Sequence, residues 1–139
     1  EKKFRIHHDG DFFDTEYVMA WQTVIIAHPN VQFWAYTRSF DLVYLLADTP
    51  NLTLYLSVDS ENINNAVNCY RANPWVKLAA LGQTFDDAKS LLAVFGQRGA
   101  RCPELNGALP LITVNGGACI TCGLCVNGRG NVTFSSSKR

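Results

Sequence analysis

Leu52-Thr53-Leu54-Tyr55-Leu56-Ser57-Val58-Asp59-Ser60, with the stretch Glu61 to Ala72 and then Asn73-Pro74 behind it, decides the fold. Residues 52–58 form a near-continuous apolar run, which reads as a buried strand ending at Asp59. Ser60 is placed to cap a helix over Glu61 to Ala72, and Asn73-Pro74 closes that helix. A strand leading directly into a helix is a βα unit.

The same cycle recurs on both sides. Upstream, Phe4-Arg5-Ile6-His7 is a short strand closed by His8-Asp9-Gly10-Asp11. Thr15 can cap a helix that carries Tyr17, Trp21, Val24, Ile25 and His28 at helical spacing. Val31-Gln32-Phe33-Trp34-Ala35-Tyr36 is aromatic and β-branched, hence a strand, and Phe40 to Ala47 makes a short helix. Downstream, Val76 to Leu81 is a further strand. Thr84-Phe85-Asp86-Asp87 opens a helix with early acids beside its positive end, and Gly96 or Gly99 terminates it. Such apolar strands are covered on both faces, as in parallel sheets flanked by helices. The expected fold class is therefore α/β: about four βα units forming part of a barrel or an open, mostly parallel sheet.

Composition sets the outer bounds. The chain has 139 residues, 47% apolar and 17% charged, with formal charge +0. That suits one structural unit with a continuous core and excludes a disordered tail. The charge balance gives no electrostatic reason to expect nucleic-acid binding. No apolar run approaches the roughly twenty residues needed to cross a bilayer, so no membrane role is expected.

After Gly99 the character changes. Residues 1–99 read as the α/β core. Residues 100–139 read as a loop-rich, cysteine-containing lobe packed on it, with too little core to hold itself. Leu111 to Val114 and Val132 to Phe134 are its strand candidates. Of the five cysteines, Cys69 stands alone in a helix and reads as a small buried hydrophobe; Cys102, Cys119, Cys122 and Cys125 fall in the lobe. An odd count argues against a complete disulfide framework.

Cys119-Ile120-Thr121-Cys122-Gly123-Leu124-Cys125 is a Cys-x2-Cys-x2-Cys run. Thiolates at this spacing can each reach a different iron of one cubane, and Cys102-Pro103 supplies a remote fourth. The spacing resembles bacterial ferredoxin loops, except that here the Cys-Pro precedes the triplet. A zinc ribbon would want two separate Cys-x2-Cys knuckles, and only Cys102 stands in the first position. The expected cofactor is thus one [4Fe–4S] cluster held by Cys102, Cys119, Cys122 and Cys125, with zinc as the competing metal. A closed set of four thiolates favours electron transfer or a structural role. Without Cys102 one iron would be open to S-adenosylmethionine. Arg98, Arg101 and Arg129 could offset the charge of a thiolate-bound cluster or stand as solvated surface charges.

A second constellation lies at the strand ends: His7, Asp9 and Asp11 after the first strand, Tyr36 and Arg38 after the second, Asp59 after the third. Such ends converge on one face of βα architectures, where they could bind a small polar ligand or second metal. The alternative is turn chemistry and ion pairing.

Phe4 to Phe12, Val31 to Arg38, Cys102-Pro103 with the late triplet, and Asn131 to Phe134 together resemble the bacteriophage gene product eighty-eight family. The resemblance covers nearly the whole chain. It implies Cys102, Cys119, Cys122 and Cys125 as ligands and His7 and Asp11 as site residues. The family in turn is similar to radical S-adenosylmethionine barrels, in which a polar Gly-rich segment after a strand contacts the cofactor, as Gly10-Asp11 would here. The chain opens just before a strand without an initiator methionine, which leaves open whether a further segment precedes it.

The resulting expectation is a phage iron–sulfur protein in the cytoplasm of the infected host, serving electron transfer with an unidentified redox partner protein. The alternatives are an S-adenosylmethionine enzyme with its site at the strand ends, and a zinc-stabilised binding module.

Overall fold

The computed structural model describes residues 2–7, 10–102, 112–113, 116–117, 128 and 130–137. Asp9, Cys119, Cys122, Cys125 and Arg129 lie outside the described residues.

The elements run β1 (Lys2–Arg5), α1 (Thr15–Ala27), β2 (Val31–Thr37), a 3-10 helix (Phe40–Leu46), β3 (Leu52–Val58), α2 (Ile63–Ala72), β4 (Lys77–Gly82), α3 (Phe85–Val94), β5 (Gly99–Arg101), β6 (Ile112–Thr113), β7 (Gly116–Gly117) and β8 (Asn131–Ser135). Six of the strands form one sheet in the order β1-β2-β3-β4-β8-β5, every neighbouring pair parallel. The sheet curls into a half-barrel, so the fold is α/β and built of βα units. β6 and β7 pair antiparallel as a separate ribbon.

Alternation along each strand gives the sheet two different faces. Phe33, Ala35, Leu52, Leu54, Leu56, Val58, Leu78 and Ala80 turn to one side. There they pack with Val18 and Ile25 of α1, Ala66 and Cys69 of α2, and Ala88 and Leu92 of α3. Each fully buried Leu or Val in this layer contributes about 1.5–3 kcal/mol relative to exposure. The opposite face carries Tyr55, Ala79 and Val132, with Tyr36, Cys102 and Phe134 packed against them.

Two helix starts differ from the sequence expectation. Asp14, not Thr15, caps α1, its carboxylate accepting the Tyr17 amide at 2.8 Å. Ser60 caps nothing: α2 begins at Ile63, because Asp59 Oδ1 holds the amides of Glu61 and Asn62 in the preceding turn. α3 starts as expected, with Thr84 and Asp87 forming a reciprocal capping box. It ends at Val94 with Phe95 as its C-cap, followed by Gly96 at φ +69°, and Gly99 belongs to the next strand.

β8 is the last strand in sequence but not in space. It fills the gap between β4 and β5 and is hydrogen-bonded on both sides. Asn131 joins all three strands at their starts: its Oδ1 accepts from the Leu78 amide at 2.8 Å and its Nδ2 donates to the Arg98 carbonyl at 3.1 Å. Gly99 makes the close approach possible, since a Cβ there would lie 2.8 Å from the Asn131 carbonyl oxygen.

Candidate functional site

At the C-terminal end of β1, His7 adopts φ +60°, a left-handed conformation that costs a non-glycine residue strain. The turn sends its ring toward α1. There it stacks on Tyr17 at 5.5 Å between centroids and meets Phe12 and Trp21 edge-on. Its Nε2 is hydrogen-bonded to the Tyr17 hydroxyl. His7 therefore sits in an aromatic box, with no hydrogen bond to Asp11, Arg38 or Asp59 among the described residues.

Those three residues do come together. Asp11 Oδ1 accepts from the Thr37 hydroxyl at 2.6 Å and the Phe12 amide at 2.7 Å, and its Oδ2 accepts from the Arg38 amide at 2.7 Å. The Arg38 guanidinium pairs with Asp59 Oδ2, while Asp59 Oδ1 takes the Glu61 and Asn62 amides. Burial pushes the Asp59 carboxyl upward, but the Arg38 hydrogen bond and the two amides outweigh it and leave it below its usual range. Every oxygen of both carboxylates is engaged by the chain itself. This arrangement fastens the β1–α1 loop to the ends of β2 and β3.

Cys102 stands elsewhere, directly after β5. Its amide donates to the Thr133 carbonyl at 2.9 Å, which fixes the backbone, and the half-buried free thiol lies among Tyr55, Ala79 and Val132. Arg101, one residue earlier, turns to the other face, where its guanidinium lies 4.9 Å above the Phe85 ring. Arg101 thus contacts α3 while Cys102 faces the other way, because consecutive strand residues point to opposite faces. Cys69 is buried on α2, and burial raises its thiol pKa. It remains a core residue.

Tyr36, expected among the strand-end residues, forms an aromatic wall with Tyr55 and Phe134 that the sequence does not announce as a unit. The tyrosine rings lie tilted against each other at 5.3 Å, Phe134 meets Tyr36 edge-on, and the Arg5 guanidinium sits 5.0 Å over the Tyr36 ring. Trp34 shares their strand parity; it is 3% exposed, and its Nε1 has no hydrogen-bond partner among the described residues. A buried N–H left unpaired costs about 1–3 kcal/mol, so this face holds a donor without an acceptor. The period of two in Gln32-Trp34-Tyr36 against Thr53-Tyr55-Ser57 was the available signal.

Among the described residues no group of three or more His, Cys, Asp or Glu side chains could hold a metal, and no helix is long and apolar enough to cross a membrane. Cys102 is the one proposed ligand within the described set.

Comparison with known proteins finds similarity to two proteins of mycobacteriophages. The Gene 88 protein of Mycobacterium phage L5 is 46% identical over 140 residues, covering 99% of this chain and 56% of that protein. The Gene 88 protein of Mycobacterium phage D29 is 44% identical over 141 residues, with the same coverages. The chain thus spans about half the length of these curated relatives. No solved structure matches. The family profile described as Gene product 88 matches residues 1–128, and the chain belongs to that family.

Proposed function

We propose that this chain is a phage iron–sulfur protein in which Cys102, Cys119, Cys122 and Cys125 hold one [4Fe–4S] cluster for electron transfer in the cytoplasm of the infected host. The carrying observation is the placement of Cys102. A free thiol, anchored through its amide, sits on the aromatic face of the sheet where the chain leaves toward the Cys-x2-Cys-x2-Cys run.

The residues present fit such a group. Cys102 offers a thiolate, Tyr36, Tyr55 and Phe134 exclude water, and the unpartnered Trp34 N–H on the same face is a donor suited to a sulfur acceptor. When bound, the cluster supplies reversible one-electron chemistry. Cys119, Cys122 and Cys125 enter on spacing alone.

Anaerobic purification followed by iron and sulfide analysis is the test. The expected result is a brown protein with iron and sulfide in equal amounts, and an electron paramagnetic resonance signal after dithionite. Cys102→Ala and Cys122→Ala should lose iron, whereas Cys69→Ala should keep it. A colourless protein carrying one zinc overturns the proposal in favour of a zinc-stabilised module.

A second reading, an enzyme using S-adenosylmethionine, is favoured by the curled parallel half-barrel. Against it, the Asp11 and Asp59 carboxylates at the strand ends are occupied by the chain's own donors. Adding S-adenosylmethionine separates the two: a changed cluster signal supports the enzyme, and an unchanged one the closed cluster.

A further inference from the structure

β5 ends the sheet, and Gly99, Ala100 and Arg101 are all exposed. Between this edge and α3 runs a groove of about 390 Å³, with Phe85, Lys89 and Ala93 on the helix bank and Arg98, Gly99 and Arg101 on the other. Three cations from three successive elements thus face one shallow space. The acid among its lining residues is Asp86, which reaches Arg101 only at 4.0 Å. Lys89 and Arg98 have no acidic partner among the described residues.

The cations exceed what guarding a sheet edge requires. Arg101 alone lies on the edge strand, and charge on the strand suffices to discourage unwanted pairing. Lys89, on a helix, and Arg98, in the loop before β5, add nothing to that protection. They bracket the groove instead, in a chain whose formal charge is zero overall. Arg101 also immediately precedes Cys102, and consecutive Cα atoms stand about 3.8 Å apart. The basic rim therefore ends one residue from the assigned cluster ligand, whose thiol lies on the opposite face of the edge strand.

We infer that the α3–β5 groove is the docking surface for an acidic one-electron carrier protein, steered by Lys89, Arg98 and Arg101 and delivering its electron across the edge strand to the Cys102 side; this rests on the iron–sulfur reading. Electron-transfer encounters bury little area, so complementary charge governs how fast they form. One electron leaves the carrier, oxidising it by one unit, and reduces the cluster by one; no bond is made and no proton is transferred.

The test uses the cluster-loaded chain with two reductants: an acidic flavodoxin in its hydroquinone form and dithionite, which needs no docking face. Bleaching of the cluster is followed by stopped flow at about 0.01 M ionic strength, where charges act over about 30 Å. The double variant Lys89→Glu/Arg98→Glu should slow reduction by flavodoxin about tenfold or more, with the difference closing as salt is raised, and leave the dithionite rate unchanged. The milder Lys89→Gln/Arg98→Gln should fall between. Flavodoxin rates within twofold of the unaltered chain overturn the docking surface, as does equal slowing with both reductants or retention of a DNA duplex by the same cations while flavodoxin is ignored. If the unaltered chain takes up no iron or sulfide, the iron–sulfur reading fails first and this inference with it.

Discussion

On one side of β3 stand Leu52, Leu54, Leu56 and Val58; on the other side of the same strand stand Thr53, Tyr55 and Ser57. The first set meets three helices and closes an aliphatic core. The second belongs to a face of tyrosines, a phenylalanine, a buried tryptophan N–H without a partner and a free cysteine. Both are buried at their centres, Leu56 and Tyr55 each being 0% exposed, so burial alone does not distinguish them. Chemistry does. Aliphatic side chains offer only packing, whereas the opposite face carries a thiol, several hydroxyls and an indole donor. The comparison assigns stability to the helix side and any chemistry to the other.

Cutting into the helix side should produce the largest effect. Leu56→Ala leaves a cavity among fully buried neighbours and should cost about 2–5 kcal/mol, read from urea unfolding. Next comes the junction of β4 and α3. A Cβ at Gly82 would lie 2.6 Å from the Ala88 nitrogen and 2.8 Å from the Thr84 carbonyl oxygen, both backbone atoms that cannot step aside. Gly82→Ala should therefore cost about 1–3 kcal/mol and weaken the start of α3, visible as faster amide exchange there.

Asp59, in the strand-end network, sharpens the comparison from outside the sheet. Its native pKa lies below the ordinary 3.8, so its contribution to stability is full above that value and fades as pH falls below it toward the lowered native value. Asp59→Asn should cost about 1–2 kcal/mol at neutral pH, and the difference from the unaltered chain should vanish in acid. A deficit that persists at pH 2 would mean that the turn, not the charge, is what the carboxylate provides.

The smallest effect belongs to the aromatic face. Tyr55→Phe removes a hydroxyl that donates to the Gly130 carbonyl at 3.3 Å and should change stability by less than about 1 kcal/mol. A loss as large as that of Leu56→Ala would erase the distinction between the two faces.

Much of this was legible in the chain. The runs at residues 31–36, 52–58 and 76–81 place β2, β3 and β4 within a residue or so, because their apolar density and flanking turn residues are local signals. Thr84 with Asp87 announced α3 equally well. The strand β5 escaped notice: Gly99-Ala100-Arg101 is too short and too mixed to show a period of two. The strand-end residues were half legible. Their convergence followed from the βα repeat, and Asp11, Arg38 and Asp59 do meet. The removal of His7 into an aromatic box depends on a left-handed backbone at one residue, which side-chain patterning does not encode.

Sequence by itself determined the α/β class, the strand–helix alternation and the supply of sulfur in the last third of the chain, since each depends on neighbours in the polypeptide. Only the tertiary structure decided that β8 slides between β4 and β5, that Cys102 faces Tyr55 while Arg101 faces Phe85, and that Lys89 and Arg98 share a groove. Those outcomes follow from the register between strands distant in sequence and from the curl of the sheet. Both are fixed by packing across the whole core.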